Sequence, residues 1–196
     1  MTQWPEHKRF AVTLSFDLDA ETAWEPVSLS GRRLSLLSMG AYGRRVGVPR
    51  LLELLARYGL RAQFYVPARV AEIDPEVVRS IADAGHDIGC HGYFHERVDE
   101  QTPEHNLQIL KDSKALLETT IQRPVRHYRA PLWELTPDVV ESLLALGFHS
   151  DSSLMGDDFN PYPLTNFNPH SRVVEIPFAW ELDDAPYFQF LFNPYR

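Results

Sequence analysis

The sequence holds a single cysteine, Cys90. That excludes an intrachain disulfide and leaves the fold to packing alone, as in a protein of a reducing compartment. It has no long basic run and a net charge of −8, so a nucleic-acid partner is not expected. No stretch approaches the roughly 20 apolar residues that a membrane-crossing helix needs. The first residues, Met1-Thr-Gln-Trp-Pro-Glu6, contain no apolar signal core. A cytoplasmic protein without membrane contact is the expectation. Apolar and charged residues are present in ordinary proportion over 196 positions, which suffices for one domain, 1–196, with a sizeable core.

The first regular stretch, 10–16, is β-branched and aromatic and reads as a buried strand ending at Asp17. Residues 21–46 carry the breakers Pro26, Gly31, Gly40 and Gly43, with Gly47 directly after them. They read as a long loop over the strand ends, with a short helix near 34–38 and arginines on a solvated face. From Val48 the pattern is regular. Helices are predicted over 49–58, 74–84, 102–121 and 136–147, each with proline at its start and most with glycine at its end. Strands are predicted over 61–66, 86–90, 125–129, 148–151 and 172–176, and the run 187–192 is aromatic enough for another. Strands alternating with helices argue for an α/β fold of parallel βαβ units, with helices outside the sheet. In such folds the chemistry gathers at the C-terminal ends of the strands.

That edge is where the polar candidates fall. His91 and His95 follow the third strand, four residues apart, which is about one helical turn and aims both rings one way. Two neutral imidazoles on one face can clamp a divalent metal; ordinary hydrogen bonding at a helix start is the competing reading. Asp17 and Asp19 follow the first strand, and on an extended backbone their side chains share a face. Arg129 follows the fourth strand and Asp151 the fifth. One carboxylate with two imidazoles leaves open metal positions, the layout of a catalytic site. The spare carboxylate could act as general base on a water, held and kept ionised by Arg129. Cys90, beside His91, reads as a small buried residue at a strand end rather than as a nucleophile or ligand.

In order and spacing, Phe16-Asp17-Leu18-Asp19, His91-Gly-Tyr-Phe-His95, Arg129-Ala-Pro131 and the strand with Asp151 resemble the successive motifs of the polysaccharide deacetylase family. The resemblance implies a distorted (β/α) barrel, a divalent metal, usually zinc, held by Asp-His-His, and hydrolysis of amide bonds other than peptide bonds. Carried over by position, Asp17 resembles the general base, Asp19, His91 and His95 the metal ligands, and Arg129 the residue that orients the base. Pro131, Trp133 and Asp151 fall at the substrate. Two departures stand out. The family's first motif usually has adjacent aspartates followed by glycine; here Leu18 separates them and Ala20-Glu21 follows. This is similar to a subgroup of intracellular deacetylase-like enzymes acting on small amides, cyclic imides or allantoin-type rings. The family also uses a late histidine, in a Leu-x-x-His-like motif, as general acid. The chain reaches Arg196 without one, and His170, outside strand context, is not assigned that role.

Three expectations follow. The first is a metal-dependent hydrolase of non-peptide carbon–nitrogen bonds with a glycan amide substrate. The second is a ring-opening amidohydrolase for a small molecule. The third is a truncated, catalytically impaired protein, its barrel incomplete at the C-terminus and its exposed aromatic edge favouring a homo-oligomer.

Overall fold

The computed structural model describes residues 8–27, 32–157 and 159–190. Their centre is a sheet of seven strands among these described residues: β1 (Ser15–Asp17), β2 (Gln63–Val66), β3 (Asp87–Cys90), β4 (His127–Tyr128), β5 (Ser150–Asp151), β6 (Tyr162–Pro163) and β7 (Val174–Glu175). They lie in the order β1-β2-β3-β4-β5-β7-β6, all pairs parallel except β6 with β7. β1 pairs only with β2 and β6 only with β7, so the sheet is not closed among the described residues. The register sets Cys90, Tyr128, Asp151 and Glu175 in one row across four strands. The residues that follow them in sequence therefore emerge at one level, along one edge.

Among the described residues, six α-helices cover the sheet: α1 (Leu34–Tyr42), α2 (Val48–Tyr58), α3 (Ala68–Ile73), α4 (Pro75–Asp83), α5 (Pro103–Ile121) and α6 (Pro137–Ala145). Proline opens α2, α4, α5 and α6, where its missing N–H has no intrahelical partner to lose. Asp74 accepts the Val77 N–H at 3.2 Å and Thr102 Oγ accepts the His105 N–H at 3.3 Å. Each such cap contributes about 1 kcal/mol. The apolar faces of the helices, among them Val78, Ile81, Leu110, Leu117, Val139 and Leu143, bury against Phe64, Val66, Ile88 and Tyr128 of the strands. Each large side chain so buried contributes about 1.5–3 kcal/mol. No helix among the described residues is long and apolar enough to cross a membrane.

The α/β architecture is as expected, and several details differ. The described parts of 21–46 are not a loop: two 3₁₀ turns (Ala20–Ala23 and Glu25–Val27) come before α1, and a π-helical turn (Gly43–Gly47) runs α1 into α2, while Gly31 lies outside the described residues. Gly40 is a contact point rather than a breaker, since a Cβ there would lie 2.5 Å from the Ala20 carbonyl oxygen. Arg44 is not on a solvated face; it is half-buried, bonded to Glu21 at 2.7 Å and to Asp74 at 2.9 Å. α3 and β6 were not expected, being six and two residues long. The aromatic run near 187 is a helical turn (Pro186–Phe190), not a strand, and residues 191–192 lie outside the described residues.

Candidate active site

β1 ends at Asp17, and Leu18 continues the pairing by donating its N–H to the Tyr65 carbonyl at 2.9 Å while its side chain buries in the core. Asp17 and Asp19, on either side of it, face the edge. The backbone is not extended through both, as the spacing suggests: Asp19 is already helical (φ −71°, ψ −30°) and Ala20 is left-handed at φ 49°. The turn is fixed from two directions. Thr22 Oγ donates to the Asp19 carbonyl at 2.6 Å, and α1 packs its Gly40 backbone against Ala20.

His91 and His95 do not share a helix face. They sit on a tight loop after β3, in which Gly92 has φ 72° and His95 φ 62°. The loop returns the second ring to the first, and the rings lie edge to face with centroids 5.0 Å apart. A Cβ on Gly92 would meet Glu96 Oε1 at 2.8 Å and Pro131 Cγ at 3.0 Å, so both its left-handed backbone and its surroundings require glycine. His91 Nδ1 donates to the Arg129 carbonyl at 2.7 Å, which fixes the tautomer and leaves Nε2 bare.

Arg129 is buried behind Asp17. Its Nη1 donates to Asp17 Oδ1 at 2.7 Å, Nε to the Ser152 carbonyl at 2.9 Å, and Nη2 to Ser15 Oγ at 3.0 Å and Ser152 Oγ at 2.9 Å. The guanidinium lies between two rings, 4.2 Å from the Tyr65 centroid and 4.5 Å from that of Trp133. Planar contacts of this kind suit Arg and not Lys. Trp133 stacks in turn on Phe178 at 3.6 Å, with Trp180 edge-on to both.

Asp19 Oδ1 lies 3.5 Å from His91 Nε2, and Asp19 Oδ2 lies 3.6 Å from His95 Nε2. One ligand atom from each of the three residues falls within 4.8 Å of the others. Bonds of about 2.0–2.2 Å to a tetrahedral ion set donor atoms about 3.3–3.6 Å apart, so the spacing fits a metal. Asp19 Oδ1 is buried and finds no hydrogen-bond donor among the described residues. Burial pushes the Asp19 carboxyl up to about 6, against the pull of His91 and with the further push of Asp17. Burial also holds both imidazoles below their ordinary value, against the opposing pull of Asp17. Neutral rings and a carboxylate without a donor are what a cation would take.

Of the residues expected at the substrate, Trp133 is half-buried beside Arg129 and Pro131 is buried against the histidine loop. Asp151 has no exposed surface and touches no open space. It accepts from Ser153 Oγ at 2.7 Å and Ser153 N at 3.2 Å, and it shares a hydrogen bond with Glu175. Burial, then Asp151, raises Glu175 to about 10, so Glu175 is the protonated partner at neutral pH. His170 is exposed, with its N–H given to Asn168 Oδ1 at 2.9 Å. Cys90 is buried and its thiol is pushed up to about 12 by that burial, which suits the small core residue and not a nucleophile. Ser15, Tyr65, Glu96, Ser152, Ser153 and Glu175 also hold the site or its surroundings, and none of them belongs to the sequence motifs. Only Ser152-Ser153, directly after Asp151, carries a visible signal, as small hydroxyl residues at a strand end.

The family described as polysaccharide deacetylase matches residues 40–150. Across the chain, a peptidoglycan deacetylase of Helicobacter pylori is 32% identical over 94% of this chain and 70% of its own length. A solved structure assigned as a polysaccharide deacetylase, from Mycobacterium smegmatis, superposes with a TM-score of 0.87 at 38% identity, covering 94% of this chain and 64% of that one. A solved allantoinase shares the fold at a TM-score of 0.82 and 20% identity, with 94% of this chain and 66% of that one covered. The chain thus spans about two thirds of the length of the proteins it matches. By its family match, its identity to these relatives over most of its length and the motifs gathered at one sheet edge, the chain belongs to the polysaccharide deacetylase family, hydrolases of amide carbon–nitrogen bonds.

Proposed function

We propose that this chain carries the site of a zinc-dependent deacetylase that cleaves N-acetyl groups from amino sugars of a peptidoglycan-type glycan. The observation that carries the reading is the buried, donorless Asp19 Oδ1 facing His91 Nε2, whose ring is fixed from behind by the Arg129 carbonyl. Asp19, His91 and His95 would hold the ion, and Zn²⁺ suits one carboxylate and two imidazoles. When bound, such an ion lowers the pKa of a water and polarises a carbonyl.

The chain's own residues define the proton path. Asp17 Oδ1 is engaged by Arg129 at 2.7 Å, which leaves Oδ2, 4.0 Å from His91 Nε2, as the oxygen free to act. Oδ2 takes the proton of the attacking water as the water oxygen bonds to the amide carbon. The amide C–N bond then breaks, and the proton held at Oδ2 is available to the departing nitrogen. Arg129, locked by Ser15 and Ser152, keeps the Asp17 carboxylate in place through both steps. Trp133, on the Arg129 guanidinium, offers an apolar face beside the reacting group.

The test is hydrolysis by zinc-loaded protein of N-acetylglucosamine oligomers and peptidoglycan fragments, read as released acetate, alongside cyclic imides and allantoin. Acetate release that follows zinc and disappears with chelator supports the proposal. Turnover of the cyclic substrates alone would select the ring-opening reading, which Leu18 between the two aspartates favours. Zinc binding without turnover of either class would select the impaired one.

A further inference from the structure

The loop that carries both histidines has an unusual demand placed on it. Gly92 and His95 both adopt left-handed backbone, and for histidine that conformation persists only where the surroundings determine it. The first half of the loop is tied to α3. Ala68 donates its N–H to the Gly92 carbonyl at 3.0 Å, Arg69 to the Tyr93 carbonyl at 2.9 Å, and Tyr93 OH donates to Glu72 Oε1 at 2.6 Å. No bond from α3 to residues 94–95 occurs among the described residues. The turn there is closed by one side chain. The Glu96 carboxylate accepts the Tyr93 N–H at 3.0 Å on Oε1 and 3.2 Å on Oε2, and the Phe94 N–H at 2.6 Å on Oε2. Bonds from backbone N–H to a carboxylate are charge-assisted, shorter and stronger than neutral ones. The fit is close, as the approach of Glu96 Oε1 to Gly92 shows.

We propose that Glu96 is a positioning residue for the histidine pair: its carboxylate, folded back onto the Tyr93 and Phe94 amides, sets the turn that aims His95 Nε2 at Asp19. It does not reach the reacting atoms and is not a catalytic residue. Without it the turn keeps its attachment to α3 but loses the contact that fixes its second half, and His95 leaves the 3.6 Å relation to Asp19. Glutamine retains one acceptor oxygen but turns an amide NH₂ toward a backbone N–H. It should therefore fall between the wild type and alanine.

This inference rests on the metal-site reading, and the experiment separates the two. Zinc affinity is measured by chelator competition for the wild type, Glu96→Gln and Glu96→Ala. The visible spectrum of the Co²⁺ forms and the melting temperature of the metal-free proteins are recorded alongside. Groups that orient metal ligands typically hold 10–100-fold in affinity. Expected are a loss of about that size for Glu96→Ala, a smaller loss for Glu96→Gln, a changed Co²⁺ spectrum in both, and a metal-free melting temperature for Glu96→Gln close to that of the wild type. Should Glu96→Ala not fold, Glu96→Gln decides alone. Zinc affinity within twofold of the wild type, with an unchanged Co²⁺ spectrum, overturns the proposal. So does a drop in melting temperature with affinity unaltered, which is a purely structural role. A wild type that takes no zinc refutes the site reading instead. Glu96 is then judged on the His95 ring resonances of the metal-free protein, which move in Glu96→Gln if the proposal holds and stay if it fails.

Discussion

Two groups of carboxyls stand on one side of the same sheet, and they have opposite fates. Asp17 and Asp19, after β1, keep 24% and 27% of their side chains exposed. Asp151 and Glu175, at the ends of β5 and β7, keep none of their residue surface. Burial raises Asp19, Asp151 and Glu175 alike, so burial alone does not distinguish the groups. What differs is the answer each receives. At β1 the neighbours are a guanidinium and two bare imidazole nitrogens, partners suited to an anion and a shared cation. At β5 and β7 the neighbours are Ser153, two backbone N–H groups and the other carboxyl, and a bound proton completes the set. A carboxylate at the end of a strand is chemically available only when its counter-groups are directed at something still missing.

The largest expected effect lies within the β1 pair. Asp17→Asn should cut turnover of an accepted substrate about 10²–10⁴-fold, the usual worth of a general base, while zinc stays bound. Loss of zinc in this variant, with binding intact in Asp19→Asn, would exchange the two roles. Next comes the contrast between the groups. Asp19→Asn should lower zinc affinity by more than the 10–100-fold typical of groups behind the ligands. Asp151→Asn should leave it nearly unchanged, measured by the same chelator competition; an equal loss in both would erase the distinction between the two groups.

A smaller effect concerns Arg129, the link between the two groups through Ser152. Lysine cannot span Asp17, Ser15 and Ser152 together or lie flat between Tyr65 and Trp133. Arg129→Lys should destabilise the fold by about 1.5–3 kcal/mol, the range for hydrogen bonds to a charged group, seen by denaturant unfolding. The smallest effect is a dependence on pH. A carboxyl whose folded pKa lies above its unfolded one stabilises the fold at low pH, and that contribution fades as the pH climbs from about 4.5 toward 10. The wild type should therefore lose melting temperature between pH 6 and pH 9. Glu175→Gln, which keeps a donor toward Asp151 and has no proton to lose, should show a shallower decline. Parallel melting curves against pH would mean that Glu175 does not carry the proton.

Much of this was legible in the sequence where one residue type has one job. Pro49, Pro75, Pro103 and Pro137 each mark a helix start, and Asp17, Asp19, His91, His95 and Arg129 each follow a strand. What was not legible depends on tertiary partners. Gly40 reads as a breaker until Ala20 is seen against it. His91 and His95 have helical spacing, yet a turn with two left-handed residues brings them together, and no periodicity encodes that. Asp151 shares its motif position with functional residues, but the Glu175 beside it comes from a strand 24 residues further on. β6 contains Pro163 and pairs over two residues only, too little pattern to read.

The stack of Tyr65, Arg129 and Trp133 has an optical consequence. Indole emission responds to nearby charge, and the Trp133 ring lies 4.5 Å from a guanidinium whose own partner is the Asp17 carboxylate. With Trp4, Trp24 and Trp180 replaced by phenylalanine, Trp133 would be the sole fluorophore of its kind in the chain. Its emission would then report the charge state of the site directly, in a protein for which no substrate need be known. Neutralising Asp17 and loading the histidines with zinc become two events seen through one window, each with its own spectral displacement.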